Sequence, residues 1–310
     1  MLIDISEKDY KEYFPLSPNP FISEDFINLT KHKVDKIVRL IDSNKKDVAV
    51  GLVAGIKDNK LYAPFSAPYG GFHYRYEEIF YDKVYDYVFK LKKYVSDQKM
   101  DSLKIVLSPN IYNPTMNAKL VNAFIRLGYS MNAPDIVSSI DLRSFEGKWI
   151  KYRVEENCNK AIRNGLSFKK VLDEKSIEEA YSIILSNRED QGRDIYMSLD
   201  DLFQVNNVIP VDFFIVRNQA GEGVGSGVFY RGHEKIVQGI FLGDLLSSRK
   251  LGTMDFLFQN LYNHYKKMGY DMIDLGKSST DGVPNIGLVR FKEIHNCISS
   301  LRYTFSLSNV

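Results

Sequence analysis

The alternation of apolar and polar positions is most informative near the C-terminus. The run Met272-Ile273-Asp274-Leu275 reads as a buried strand that stops at Gly276. A polar loop, Lys277-Ser278-Ser279-Thr280-Asp281-Gly282, follows. Pro284 and Asn285 open a short helix carrying Phe291-Lys292, and a further strand spans Leu301 to Leu307. A strand end, a polar loop and a helix start leave backbone N–H groups without partners, and such places commonly hold ligands.

Upstream, residues 1–20 are polar and proline-rich and read as a leading arm. Ser23 is the expected N-cap of a helix with Phe26, Ile27 and Leu29 as its apolar positions. Lys36 to Leu40, Asp47 to Ile56 and Leu61 to Ser66 then predict a meander of antiparallel strands, with Asp58-Asn59 as a tight turn. After a loop, Ala67 to Phe72, the spacing of Phe80, Val84, Val88, Leu91 and Val95 predicts a helix over Glu77 to Lys99. A strand (Ser102 to Leu107), a helix (Thr115 to Leu127, stopped by Gly128) and a strand (Asp135 to Leu142) follow.

The second half repeats this order. A basic, polar segment, Cys158 to Gly165, leads into a strand (Leu166 to Leu172), helices at Ile177 to Asn187 and Leu199 to Asn206, and a hairpin of Val211 to Arg217 with Gly225 to Tyr230. A strand (Lys235 to Leu242), a loop (Gly243 to Lys250) and a long helix (Thr253 to Met268) lead to the stretch at 270–307. Leu107 corresponds to Leu275 and Phe124 to Phe291, an offset of about 170 residues on repeat logic. A chain of 310 residues accommodates two such domains, expected at 1–145 and 146–310.

Composition changes this picture little. Apolar content of 44% and charged content of 26% are those of a globular protein, and the net charge of +2 makes no whole-chain case for nucleic-acid binding. Cys158 and Cys297 have no metal-ligand spacing, and the five histidines share none, so no metal is expected and a reducing compartment is. The N-terminal residues show no signal-peptide pattern, and no apolar run reaches the ~18 residues of a membrane helix. A soluble, cytoplasmic protein is expected. Gly221-Glu222-Gly223-Val224-Gly225 superficially suggests a nucleotide loop, but it lies in a hairpin with no helix after it. Gly276-Lys277-Ser278 fails as a P-loop because position 271 is Asp.

The order hairpin, strand, loop, long helix, strand, short helix, strand resembles the GNAT acyltransferase fold. The tandem pair, with Asp274-Leu275-Gly276, Gly287-Leu288, Phe291-Lys292 and the basic segment Asn159 to Gly165, is similar to the FemAB family of peptidoglycan aminoacyltransferases. The resemblance covers essentially the whole chain. It implies an α+β fold of two tandem GNAT-like domains, each a mixed central sheet flanked by helices, the first degenerate and the second catalytic. It also implies an N-acyltransferase that moves an acyl group from an acyl-CoA-type donor, bound at the start of the helix at 252–268, to an amine acceptor. One alternative is aminoacyl transfer from charged tRNA to a cell-wall precursor, which near-zero net charge and the absence of a long coiled-coil insertion disfavour. The other is a binding module of the same fold without chemistry.

The same resemblance nominates site residues. Arg249, Leu251, Gly252 and Thr253 match the place of the GNAT pyrophosphate loop, although Met254 replaces its final small residue. With Gly276, Lys277, Ser278 and Ser279 they form the expected donor site. Lys292 is the expected electrostatic stabiliser of the oxyanion, its plain alternative being a solvated helix lysine. Asp274 is a candidate base or the cap of a neighbouring strand, and Glu189 a further proton acceptor. Tyr69, Gly70, Arg188, Arg193 and Asn285 are the expected acceptor side, the two arginines suited to an anionic acceptor. A charged surface loop at Arg188 to Arg193, and an ordinary turn at Tyr69-Gly70-Gly71, are the alternatives there.

Overall fold

The computed structural model describes residues 1–310 apart from Pro18, Lys45, Asp47, Asn309 and Val310. Pro18 of the leading arm, Asp47 at the expected start of a strand and the last two residues of the expected second domain thus lie outside the described residues. The chain begins with β1 (Leu2–Asp4), α1 (Glu7–Tyr13) and α2 (Glu24–Thr30), then β2 (Lys36–Asp42), β3 (Val50–Lys57), β4 (Lys60–Ala63) and β5 (Phe72–Tyr74). Next come α3 (Tyr81–Asp97), β6 (Ser102–Val106), α4 (Pro114–Arg126), β7 (Ser130–Met131) and β8 (Asp135–Asp141). They are followed by α5 (Tyr152–Arg163), β9 (Ser167–Val171), α6 (Glu174–Asp190), α7 (Leu199–Asn206), β10 (Val211–Arg217), β11 (Gly223–Tyr230) and β12 (Ile236–Asp244). The last elements are α8 (Thr253–Lys267), β13 (Met272–Lys277), β14 (Ser279–Thr280), β15 (Val283–Pro284), α9 (Ile286–Ile294), β16 (Ile298–Arg302) and β17 (Thr304–Ser308).

Local chemistry accounts for many of the boundaries. Ser6, Ser23 and Asp173 cap α1, α2 and α6 by accepting a backbone N–H, and Ser198 with Asp201 forms a reciprocal capping box on α7. On α3 the buried residues Val84, Val88, Leu91 and Val95 keep the helical spacing that predicted the element. The leading arm is not irregular throughout, since it holds β1 and α1. The segment at Cys158 to Gly165 belongs largely to α5, whose Val154, Cys158 and Ala161 face inward.

The chain folds into two compact units, Met1–Ile136 with Ser279–Pro284 and Ser300–Val310, and Val137–Ser278 with Asn285–Ser299. The first unit holds an eight-stranded sheet in the order β1-β2-β3-β4-β6-β17-β7, with β5 also paired to β3. Its core includes Leu40, Leu52, Leu61, Leu91, Ile105 and Phe124, and Phe305 of β17 stacks on Phe124 at 4.7 Å. The second unit holds a seven-stranded sheet, β16-β8-β13-β12-β11-β10-β9, over Phe214, Phe229, Leu257, Tyr265 and Ile273.

Both sheets therefore carry the same topology, and each places next to last a strand from the other half of the sequence. β17 pairs antiparallel with β6 (Thr304↔Val106 to Ser308↔Ser102), and β8 pairs antiparallel with β13 (Met272↔Asp141, Ile273↔Ile140, Asp274↔Ser139). This differs from the contiguous stretches 1–145 and 146–310 expected from the pattern. The single strand expected over Leu301 to Leu307 is in fact two, β16 and β17, and they join different sheets. The hydrophobic pattern of a strand registers that it is buried, and carries no information on which sheet buries it.

Candidate active site

In the second unit two central parallel strands part company. β12 and β13 are in register only over Ile236↔Met272, Val237↔Ile273 and Gln238↔Asp274. Along the other edge of β12, Val228 faces Phe241 and Phe229 faces Gly239, so Ile240 is an extra residue, a β-bulge. A bulge bends its strand and disrupts the ladder. Beyond it β12 follows β11 alone, and Gln238 to Leu242 are partly exposed although they lie mid-sheet. Peptide groups of β12 that face the gap have no ladder partner there, so the gap is lined by main-chain donors and acceptors.

The expected donor loop leads into α8. A 3-10 segment, Leu246–Leu251, ends at Gly252, which adopts φ +80° and caps α8. A Cβ at Gly252 would stand 2.4 Å from the carbonyl oxygen of Asn157 on α5, so both the backbone conformation and the neighbour demand glycine. Thr253 is fully buried and donates through Oγ1 to Ser248 O at 2.9 Å. Leu251 and Met254 pack against the core, so the side chain of Met254 turns inward. Arg249 turns back, donating through Nε to Asp244 Oδ1 at 3.3 Å. Burial raises the Asp244 carboxyl above its ordinary range against the pull of Arg249.

The end of β13 forms the opposite side of the gap. Lys292 on α9 is 6% exposed, and its ammonium donates to Leu275 O (2.8 Å), Gly276 O (3.0 Å) and Lys277 O (3.1 Å). Burial pushes this lysine down to about 8. The plain alternative, a solvated helix lysine, is thereby replaced by a buried cation that clamps the end of a strand. All three of its protons are committed to carbonyls, so contact with an oxyanion requires one of these bonds to open. Asp274, also buried, accepts the Gly276 N–H at 2.7 Å, and Gly276 itself has φ +71°.

The remaining residues of that stretch divide. Ser278 is buried and shares a hydrogen bond with Ser138 at 3.0 Å in the second unit. Ser279 is likewise buried but belongs to the first unit, where Oγ donates to Asp135 at 2.7 Å and accepts the Ile136 N–H. Lys277 is exposed. Asn285 caps α9, accepting the Leu288 N–H at 3.0 Å, so its side chain is spent on the helix.

On the acceptor side, Arg188 and Glu189 belong to the last turn of α6 and Arg193 follows it, so the expected loop is partly helix. Arg188 is half-buried, with its guanidinium carbon 6.0 Å from the Phe241 ring centroid on β12 beside the gap. Burial and the neighbouring charge of Arg193 both depress it. Glu189 is exposed. Tyr69 and Gly70 lie in the first unit: Tyr69 packs between Phe21 and Tyr112, and Gly70, at φ +146°, donates its N–H to Val106 O.

Sequence reasoning missed a second tier of polar residues. Asn157 Nδ2 donates to Asp255 Oδ2 (2.9 Å), and Asp255 Oδ1 meets His295 Nε2 (3.0 Å), tying α5 and the end of α9 to the first turn of α8. Asn187 donates to Asp244 O, fixing the end of β12 against α6. These residues are scattered over 157–295 and share no spacing that a motif could register. Among the described residues no group of three or more His, Cys, Asp or Glu side chains is placed to hold a metal ion, and no helix is long and apolar enough to cross a membrane.

No protein-family model and no curated protein matches this sequence. Among solved structures the chain is similar to FemX, with a TM-score of 0.70 and 10% identity over 100% of this chain and 97% of that one. It is also similar to L-PGS from Bacillus licheniformis (TM-score 0.60, 12% identity, 94% of this chain and 92% of that one). A tandem GNAT protein from the clavulanic acid biosynthesis pathway gives a TM-score of 0.56 and 7% identity over 99% of this chain and 98% of that one. At these identities the likeness is one of architecture: the chain has the α+β fold of two tandem GNAT-like domains, each a mixed sheet flanked by helices, that FemX shares.

Proposed function

We propose that the second unit is an N-acyltransferase, with the activated carbonyl of the donor seated in the gap between β12 and β13. The observation that carries this reading is the parting of two central parallel strands at the Ile240 bulge, with the α8 N-terminus on one side and the Lys292-clamped end of β13 on the other. In this reading an amine attacks the donor carbonyl carbon. Peptide N–H groups facing the gap stabilise the oxyanion, the leaving group departs, and a carboxylate such as Asp274 or Glu189 receives the amine proton. Lys292 acts as a positioning residue by fixing the carbonyls of Leu275, Gly276 and Lys277. Arg188 and Arg193 would engage an anionic acceptor, since Arg188 lies half-buried beside Phe241 on the bulged strand.

An acyl-CoA is the first donor to test. Aminoacyl transfer from charged tRNA is the second reading. One observation favours it: Arg249, the basic residue matched to a pyrophosphate loop, is already paired with Asp244. Incubation of the purified chain with amine acceptors and either acyl-CoA or aminoacyl-tRNA, read by mass spectrometry of the acceptor, separates the two. Arg249→Ala impairs the CoA reaction if that donor is used and leaves the tRNA reaction nearly intact. Absence of transfer and of binding with both donors rejects the enzymatic reading in favour of a binding module.

A further inference from the structure

Asp255 and His295 join the two sides of the gap. Asp255 lies in the first turn of α8, and His295 is the C-cap residue of α9, just after Lys292. The His295 side chain is fully buried and that of Asp255 is 14% exposed. Nδ1 of the ring lies 2.6 Å from Phe291 O, and Nε2 lies 3.0 Å from Asp255 Oδ1. A carbonyl oxygen only accepts, so Nδ1 carries a proton and donates it. A carboxylate oxygen facing Nε2 then requires a second proton on that axis, held either by the ring or by the carboxyl.

The surroundings place that proton on the ring. Asp255 Oδ2 accepts the Asn157 Nδ2–H at 2.9 Å, and the carboxyl stands at a helix N-terminus; both favour its ionised form. The ring stands at the C-terminus of α9, where the last carbonyls attract a cation. The Phe258 and Phe291 ring centroids lie 4.5 Å from it and that of Trp149 5.7 Å, within the range at which aromatic rings attract a cation. Of its titratable neighbours, Tyr262 and Cys297 are neutral, since burial pushes the phenol up and the thiol up to about 11. Burial likewise pushes the Cys158 thiol, near Asp255, up to about 12. The Lys292 ammonium is turned to the end of β13.

We propose that His295 is a buried imidazolium that, paired with Asp255, fixes the start of α8 against the end of α9 and is a positioning residue for the donor. Its part in transfer rests on the reading of the second unit as a transferase; the ion pair itself does not. The backbone N–H of His295 donates to Lys292 O at 3.1 Å, so the pair links the start of α8 to the residue that clamps β13. Asn157 secures the same turn twice, through its amide on Asp255 and through its carbonyl oxygen against Gly252. The charge has a second consequence. Both donors named above are anionic, and a bare carboxylate in the first turn of α8 would repel them. The imidazolium cancels that charge while leaving the first peptide N–H groups of the helix open to the donor.

The test uses the full chain with histidine labelled in its ring nitrogens and followed by NMR near neutral pH. Both ring nitrogens of His295 should carry protons. In Asp255→Asn, which keeps the shape and can donate an amide N–H to Nε2, only Nδ1 should. His295→Phe keeps an aromatic ring among Phe258, Phe291 and Trp149 and strands the Asp255 carboxylate. It should speed hydrogen exchange of the Phe256 to Gln259 amides and weaken acetyl-CoA binding by about tenfold, the effect of one unscreened charge nearby. Adding Asp255→Asn to His295→Phe should recover the affinity, which a merely structural role would not do. A singly protonated ring in the wild type, unchanged exchange in His295→Phe, or no recovery in the double variant overturns the proposal. Failure of the wild type to bind acetyl-CoA and aminoacyl-tRNA alike instead rejects the transferase reading, because the ring protonation and the exchange rates are measured without a donor.

Discussion

Replacing Lys292 by methionine is the sharpest test of how the candidate site is held. The substitution keeps the length and apolar stem and removes the ammonium that binds the carbonyls of Leu275, Gly276 and Lys277. Three hydrogen bonds from a charged donor contribute roughly 1.5–3 kcal/mol each, or about 4–9 kcal/mol together. Against this stands the burial of the charge, expressed in the fall from 10.5 to about 8, which is worth about 3 kcal/mol. The difference is a destabilisation of roughly 1–6 kcal/mol, several degrees in Tm. pH supplies an independent readout. Below about 8 the lysine is protonated in both the folded and the unfolded chain, and the charge-burial penalty is present in full. Between about 8 and 10.5 the folded chain has released the proton and the unfolded chain has not, so stability rises with pH, by about 3 kcal/mol in all. Denaturant unfolding of wild type and Lys292→Met at pH 7 to 10.5 measures both effects. If the variant is as stable as the wild type at pH 7, or the stability difference does not grow with pH, the assignment of Lys292 as a buried clamp is refuted.

Other substitutions probe the surrounding structure. Gly252→Ala places a Cβ 2.4 Å from Asn157 O at a φ of +80°, and should destabilise by about 2–4 kcal/mol in thermal melts, whereas Gly221→Ala, with open space around it at φ +84°, should lose only about 1–2 kcal/mol. Arg302→Met removes the guanidinium that donates to Asp135 at 2.8 Å, with both side chains about 10% exposed, and leaves the carboxylate held by the Ser279 hydroxyl and the Gly282 N–H; it should cost about 3 kcal/mol by denaturant unfolding. Arg188→Gln removes a half-buried guanidinium that burial and Arg193 already disfavour, so Tm should hold or rise while KM for an anionic acceptor increases; unchanged KM argues against its place in the acceptor site. Deleting residues 304–310 removes β17 from beside β6 and Phe305 from Phe124, and should unfold the first unit, read as loss of near-ultraviolet circular dichroism.

Much of the fold was legible along the chain, because burial imposes periodicity. Val84, Val88, Leu91 and Val95 marked α3, Met272 to Leu275 marked β13, and the repeated order of elements marked two copies of one topology. Gly276 was expected where the strand stops and Gly252 in the loop before the long helix, and both have positive φ. What lay beyond local pattern was partnership. Nothing near Lys292 in sequence announces that its ammonium reaches back to carbonyls fifteen to seventeen residues away, since those acceptors are main-chain atoms that every residue type carries. Asp244 and Asn157 were invisible for the same reason: their roles are contacts with Arg249 and with Asp255 that only folding creates. Strand exchange is the largest instance. The sequence by itself determined that Asp135–Asp141 and Thr304–Ser308 are strands, because side-chain chemistry fixes the local conformation. Only the tertiary structure decided that each joins the sheet of the opposite half, because backbone hydrogen bonding satisfies any correctly aligned edge and the choice falls to the packing of the whole core.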